Sequence, residues 1–469
     1  LIKINNLCKQ AQSINNGFAF IVRGQVSITL NKPSYIIQNV RSTINNWFAS
    51  QKNQYLAIAF ALFVSLIIRI YLSQIQGHEF DLSTFKTWSR GVYYTGFPHF
   101  YSGVGSDYPP FYIYILWALG TFYKSFISSS FDTPLFSIML KIPAIIADIA
   151  TAFLIFIVAR KYASSKVAFL VMTSYTFNPA IIYDSAIWGQ VDSVYTLFFM
   201  LALILFISDK PVLSGAAMAL AVLTKPQSLV LVPLFAVVMM KKHTPLTIAK
   251  VSTASIAAFV IVALPFYIDS SIFGLFKLYF SSYIQYPYNS LNAFNLWAFT
   301  GLFQPDNTYL IVMTYRMWGY LLFGILFIYI AYITLKNKDD KSIYLASAIL
   351  FFGFFMFFTR IHERYLFPVF APLAVAITFD RRLSYVYGMA TLTFLFNLHY
   401  VLEGTKSGFD FPYGKELMLL ASGINLLLLF YTLYCFSTHN TIKSNPGSQK
   451  SYCDHPRVFE KNTLNDYHS

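Results

Sequence analysis

Only 12% of the 469 residues are Asp, Glu, Lys or Arg, so the places where they occur carry information. Asp107, Asp148, Asp184, Asp192, Lys225 and the run Arg360-Ile361-His362-Glu363-Arg364 all fall at or near the ends of apolar stretches. Ionisable groups at membrane depth are costly, so a set that converges on one side of a membrane marks a candidate site. The residue types limit the chemistry. A carboxylate can take a proton from a hydroxyl. Arginine holds phosphate in a bidentate fork, and lysine holds it as a point charge. Aromatic loops suit the membrane interface and the flat faces of sugars, and two lie nearby: Gln285-Tyr286-Pro287-Tyr288-Asn289 and Asn292-Ala293-Phe294-Asn295-Leu296-Trp297.

The elements that must position these groups are membrane helices. Hydrophobic residues make up 56% of the chain, with 48 Phe and 34 Tyr, more apolar surface than a soluble domain could cover. The apolar runs are too long for barrel strands. The fold class expected is therefore all-α, a polytopic membrane helix bundle of about twelve apolar segments. The net charge of +14 comes largely from Lys and Arg beside loops, which is the positive-inside pattern. It gives no phosphate-tracking surface, so nucleic acid is not an expected partner. Cys8, Cys435 and Cys453 form no disulfide framework and no zinc spacing.

Loop charge sets the topology. Residues 1–54 form a basic, cytoplasmic N-terminal arm that does not read as a signal peptide. Residues 55–436 form the membrane domain, and 437–469 a polar cytoplasmic tail. The first span, 55–72, leads to a large first outer loop, 73–141, which holds His78-Glu79-Phe80-Asp81 and Ser106-Asp107-Tyr108-Pro109-Pro110. The apolar stretch 111–123 either spans or lies in the interface; the second choice keeps Arg160, Lys161 and Lys166 inside. Spans follow at 142–159, 167–183 and 194–207, then two short pieces, 213–223 and 229–240, broken by Thr224-Lys225-Pro226-Gln227. Further spans fall at 251–267, 310–335, 343–358, 365–379, 383–399 and 417–436. With this alternation the listed ionisable groups lie near the outer side.

Several chemistries lack their motifs. There is no P-loop, no Asp-x-Asp pair, no Gly-x-Ser-x-Gly and no His-Glu-x-x-His. What remains is carboxylates, a lysine and an Arg/His/Glu/Arg cluster beside aromatic loops. That set fits glycosyl transfer from a lipid-linked phosphate donor at the outer face. No ligand set suggests a metal, and no cofactor is implied.

Seven pieces carry a further resemblance. They are Phe80-Asp81-Leu82, Asp107-Tyr108-Pro109-Pro110, Lys141-Ile142-Pro143-Ala144-Ile145-Ile146-Ala147-Asp148, Asn178-Pro179-Ala180-Ile181-Ile182-Tyr183-Asp184, Trp188-Gly189-Gln190-Val191-Asp192-Ser193, Leu223-Thr224-Lys225-Pro226-Gln227 and Arg360-Ile361-His362-Glu363-Arg364-Tyr365. In this order, across about residues 55–400, they resemble the lipid-phosphate-sugar-dependent transferases of the GT-C superfamily. They look most like the ER dolichyl-phosphate-glucose α-glucosyltransferases and the prokaryotic mannosyltransferases related to GPI-anchor assembly. The resemblance implies an inverting reaction with a carboxylate of the first outer loop as general base, and the matching residue is Asp81. Lys225, Arg360 and Arg364, with His362 and Arg69, are then expected at the donor phosphate. Asp107, Tyr108, Asp148, Asp184, Trp188, Gln190, Asp192, Gln227 and Glu363 are expected around the sugar and acceptor. The donor would be a polyprenyl-phosphate mannose or glucose. The acceptor would be a glycan, lipid or protein, and membrane lipids would surround the chain.

Plainer roles compete at each site. Asp81 could be a solvated loop carboxylate. Asp148 could be a structural hydrogen-bonding group between helices, and Asp192 could start a helix. Trp188 could anchor at the interface, Lys225 could snorkel, and Arg360 and Arg364 could pair with Glu363. Two other functions also remain. A transporter or lipid flippase would show broken helices and midplane charges, along with internal repeats that are not visible here. A transferase of a preassembled glycan from a lipid pyrophosphate would use the same cations.

Overall fold

The computed structural model describes residues 50–269, 271–337, 339–408 and 414–444, with side chains as far as 438. Most of the expected N-terminal arm, Cys8, Cys453 and most of the tail lie outside these residues. The chain divides into two compact units, Leu1–Val64 and Ser65–Ser469. Every candidate site residue belongs to the second.

The helices in chain order are α1 (Gln51–Leu72), α2 (Glu79–Thr95), α3 (Phe100–Gly103), α4 (Pro110–Phe126), α5 (Pro134–Tyr162), α6 (Ser165–Thr176) and α7 (Pro179–Ile182). A π-helical turn, Tyr183–Trp188, leads to α8 (Asp192–Ile207) and α9 (Pro211–Thr224). A 3-10 turn, Pro226–Leu231, then joins α10 (Val232–Lys242), α11 (Pro245–Ala263) and α12 (Gly274–Ile284). After a two-residue-per-strand hairpin, β1 (Tyr309–Leu310) with β2 (Met313–Thr314), come α13 (Tyr315–Lys336) and α14 (Ser342–Phe357). Last are a 3-10 turn, Glu363–Val369, then α15 (Phe370–Ile377), α16 (Leu383–Lys406) and α17 (Lys415–Ser444).

Among the described residues, five helical segments are long and apolar enough to cross a membrane: Gln51–Leu72, Pro134–Tyr162, Pro245–Phe266, Tyr315–Lys336 and Lys415–Thr438. Three shorter apolar helices, Asp192–Ile207, Pro211–Thr224 and Ser342–Phe357, accompany them. The sequence predicts about twelve apolar segments; whole helices give fewer because polar and proline residues break several of the runs. The run 167–183 stops at Asn178, whose side chain accepts from the Ala180 and Ile181 N–H groups and starts a new turn at Pro179. The run 365–379 is split between a 3-10 turn containing Pro368 and α15.

The segment expected as the first outer loop is largely helical. Helix α5 begins before 141, because Thr133 caps it by accepting from Phe136 N–H at 3.1 Å with Pro134 next. Lys141 therefore sits inside a helix. The stretch 111–123 lies in the 17-residue α4, whose length of about 26 Å is short of a bilayer core of about 30 Å. α4 packs against α2 through Phe85, Trp88, Tyr108, Tyr112 and Leu116, all buried, with ring centroids 5.0–5.8 Å apart among the aromatic ones. This aromatic platform fixes the start of α2. At the centre, α14 is apolar all round and buried along nearly its whole length, as expected of a helix with neighbours on every side. Among its neighbours are α13, α15 and α17, and it delivers the 360–365 loop.

Candidate active site

Asp81 occupies the first turn of α2. The His78 side chain caps that helix, with Nδ1 accepting from Asp81 N–H at 3.3 Å. A carboxylate there also faces the positive end of the helix dipole. The Asp81 side chain projects into contact with the turn at Trp188-Gly189-Gln190. Trp188 Nε1–H donates to Asp81 Oδ2 at 2.8 Å, and Gln190 Nε2–H donates to the same oxygen at 2.5 Å. His78 Nδ1 lies 3.2 Å from it as well. Among the described residues no hydrogen bond reaches Oδ1. The His78 ring stacks on the Trp188 indole at 4.8 Å and 6° between planes.

Two glycines allow this approach. A Cβ on Gly77 would meet Trp188 O at 2.3 Å and Ile187 O at 2.6 Å. Gly189 has φ +92°, and a Cβ there would lie 2.9 Å from Leu82 Cδ2. His78 N–H donates to Trp188 O at 3.2 Å. The Lys141 ammonium completes the joint, donating to Ser73 O, Ile75 O and Ile187 O at 2.9, 2.8 and 2.9 Å. One buried cation thus ties the end of the first span to the Trp188 turn, and its three protons are all used.

Cationic residues line the same cavity as Asp81. Arg364 NH1–H donates to Glu363 Oε1 at 2.8 Å, while Arg364 Nε is buried with no partner among the described residues. Lys225 stands at the break between α9 and the 3-10 turn that leads to α10. Its Nζ donates to Asp192 Oδ1 at 2.7 Å and lies 5.5–5.8 Å from the ring centres of Tyr108, Tyr195 and Tyr365. Gln227 reaches the same space, with Oε1 unpartnered. Arg360 lines it too, at φ +66°, but Nε donates to Asp306 Oδ2 at 2.7 Å and NH1 to Tyr283 O at 2.8 Å. Neither Asp306 nor Tyr283 stands out in the sequence. Arg360 is one of the described non-glycine residues with positive φ, and its bonds to Asp306 and Tyr283 O help to hold that conformation.

Asp81 and these cations face one cavity of about 2260 Å³. Asp107, Tyr108, His362 and Glu363 also line it. An apolar flank comes from Phe276 and Phe280 of α12, Val230, Phe323 of α13 and Phe354 of α14. Other predicted residues stand elsewhere. Trp188, Gln190 and Asp192 do not line the cavity; the first two back Asp81 and the third neutralises Lys225. Arg69 and Asp148 are fully buried and pair with each other at 3.3 Å. Arg69 is also bonded to Ser65 and Thr176 O, and Asp148 to Ser185 at 2.6 Å, so this pair is used between helices and cannot meet a ligand in the cavity. Asp184 is fully buried in the π-helical turn, and neither carboxyl oxygen has a protein partner. Among the described residues no three His, Cys, Asp or Glu side chains are grouped to share a metal ion.

The electrostatics separate Asp81 from Asp107. Burial alone would push the Asp81 carboxyl up, but the Arg364 guanidinium, then His78 and the Trp188 N–H, hold it well below the ordinary carboxylate range. Burial pushes the Asp107 carboxyl up. Burial and the Arg364 charge push His362 well below its ordinary value, leaving a neutral imidazole at pH 7.

No family model matches the chain, and no curated protein does. Among solved structures, it is similar to the archaeal oligosaccharyltransferase AglB from Archaeoglobus fulgidus, in complex with an inhibitory peptide and a dolichol-phosphate, at 13% identity over 83% of this chain and 56% of that one, with a TM-score of 0.43. A second structure of the Archaeoglobus fulgidus oligosaccharyltransferase, tethered with an acceptor peptide, gives 14% identity over 81% of this chain and 55% of that one, with a TM-score of 0.37. ArnT from Cupriavidus metallidurans, bound to undecaprenyl phosphate, gives 13% identity over 84% of this chain and 79% of that one, with a TM-score of 0.42. The chain spans a little over half the length of either oligosaccharyltransferase.

Proposed function

We propose that this protein is a membrane-embedded glycosyltransferase that moves one hexose, mannose or glucose, from a polyprenyl-phosphate donor to an acceptor hydroxyl at the outer face. The observation that carries the reading is a cavity whose wall bears an ionised carboxylate with one oxygen uncommitted among the described residues, the Arg364 guanidinium, and an apolar flank. In the reaction, Asp81 Oδ1 takes the proton of the acceptor hydroxyl. The acceptor oxygen attacks the anomeric carbon, the carbon–oxygen bond to phosphate breaks, and the electron pair leaves on the phosphate oxygen. One displacement inverts the anomeric centre. A phosphate leaving group needs little acid help, so one base suffices, unlike the carboxyl pair of hydrolases. Arg364 and Lys225 stabilise the charge that develops on the phosphate. Asp107, Tyr108, Gln227 and Glu363 line the space for sugar and acceptor.

Purified protein is to be tested for transfer of labelled hexose from polyprenyl-phosphate mannose and polyprenyl-phosphate glucose to extracted membrane lipids and glycans. Transfer by the wild type that is lost in Asp81→Asn supports the reading and names the sugar. Loss in Asp107→Asn with Asp81→Asn still active would move the base to Asp107. The cavity volume also suits a larger glycan, so transfer only from a lipid-pyrophosphate glycan would replace the single-sugar reading.

A further inference from the structure

We infer that Trp188 and Gln190 are positioning residues of Asp81, which bind its Oδ2 and leave Oδ1 as the one oxygen turned to the acceptor. The inference rests on Asp81 being the base. It assigns two residues that the sequence places against the sugar to a different task, behind the carboxylate.

Four observations carry it. Both N–H donors end on the same oxygen, at 2.8 and 2.5 Å. Both side chains are at most 1% exposed, and neither lines the cavity that Asp81 lines. With Oδ2 tied behind, covalent geometry turns Oδ1 toward the open side. The donors are themselves oriented: Tyr108 O–H donates to Gln190 Oε1 at 3.5 Å, which fixes the sense of the amide, and the His78 ring stacks on the indole. Finally, the turn is anchored independently of any ligand. Gly189 N–H and Gln190 N–H both donate to Asp184 O at 3.0 Å, and Lys141 holds Ile187 O. A carboxylate free to rotate would present either oxygen; one held by two fixed donors presents one, in the pre-organised manner that favours reaction.

The charged and titratable groups that face Asp81 come from several elements. They are His78 on its own helix cap, Asp107 and Tyr108 before α4, Tyr286 after α12, and His362 and Arg364 after α14. Trp188→Phe and Gln190→Leu leave all of these in place. Each removes one donor to the charged form, so the Asp81 carboxyl must rise.

The test uses the full-length protein in lipid nanodiscs, with Trp188→Phe, Gln190→Leu and the double variant. Two readouts are taken. In transfer from the polyprenyl-phosphate hexose, kcat is expected to fall about tenfold or more per variant. Its acid limb should move to higher pH by about one unit, with the donor KM unchanged. In difference infrared spectra against Asp81→Asn, the Asp81 carboxyl should protonate at higher pH in each variant than in the wild type. An unmoved infrared titration overturns the inference. So does a raised donor KM or changed sugar choice with an unmoved acid limb, which would mark the two as substrate contacts. Lower thermal stability with both titrations unmoved would mark them as merely structural, and also overturns it. The infrared result stands whether or not transfer occurs. A wild type that transfers no sugar, with a shifted titration in the variants, would sink the role of Asp81 as base while supporting Trp188 and Gln190 as the groups that hold its charge.

Discussion

Asp81 and Asp107 line the same cavity in opposite electrostatic circumstances, and that divides their tasks. The Arg364 charge keeps Asp81 ionised despite burial. A base must be deprotonated to act, so its activity is present above its own low titration point and is lost only as the pH falls through it. We therefore expect the acid limb of kcat/KM, which reports the free protein, to lie below the ordinary carboxylate range, measured as rate against pH in a mixed buffer of constant ionic strength. Asp81→Asn removes the proton acceptor and should lower kcat by about 10²–10⁴-fold. Its thermal unfolding temperature should fall, because the neutral side chain no longer offsets the Arg364 charge, although it keeps an oxygen for Trp188 and Gln190. His362, already neutral at pH 7, should add no titration near neutrality, and a His362→Gln profile superimposable on the wild type would check this. Much at this scale could be read in the sequence. The placement of Lys225, Glu363 and Arg364 at the ends of apolar stretches singles them out, while Asp81 and Gln227 enter only through the family resemblance; all five line one cavity. The partners were hidden: Trp188 lies 107 residues from Asp81 and Asp306 lies 54 from Arg360, and no local periodicity reports such distant pairings.

Elements matter here mainly where they stop. α9 ends at Thr224, and the Lys225-Pro226 break turns a lysine inward to Asp192 instead of letting it run to the interface. The break is legible from proline alone, because proline lacks an N–H and cannot continue the helix. The ion pair is not, because it depends on how α8 lies beside α9. Lys225 and Asp192 are at most 2% exposed, so Lys225→Met should destabilise the protein by about 3–5 kcal/mol through the unpaired carboxylate. Adding Asp192→Asn should restore most of that stability without restoring donor affinity, read as thermal unfolding beside donor KM. The joint between Gly77 and the Trp188 turn gives a second test. Gly77→Ala drives a methyl into Trp188 O and should part His78 from the indole. Transfer should fall sharply although every catalytic side chain remains. A Gly77→Ala variant with full activity would show that the joint tolerates movement.

At the scale of the whole molecule, the sequence identifies helices in a bilayer but not how many cross it whole. Hydropathy registers apolar content and misses the Asn178 and Pro368 interruptions that divide a run into turns. The cavity bounded by the broken pieces has a polar side at Asp81 and an apolar side along α12, α13 and α14. A donor with a long polyprenyl chain should therefore have a lower KM than a citronellyl-length analogue, while kcat stays similar, since the tail contributes binding remote from the reacting atoms. The Arg364 guanidinium, finally, sets an order of events. While it is unoccupied, its field keeps Asp81 a poor proton acceptor, so the empty enzyme has little power to activate a stray water. Under the proposed function, a donor phosphate seated on Arg364 should offset that field and strengthen the base when a sugar is present to receive the nucleophile. The arrangement works as an interlock. It forecasts proton removal from the acceptor only when the lipid donor is also bound, and a slow loss of sugar to water when a donor waits without an acceptor.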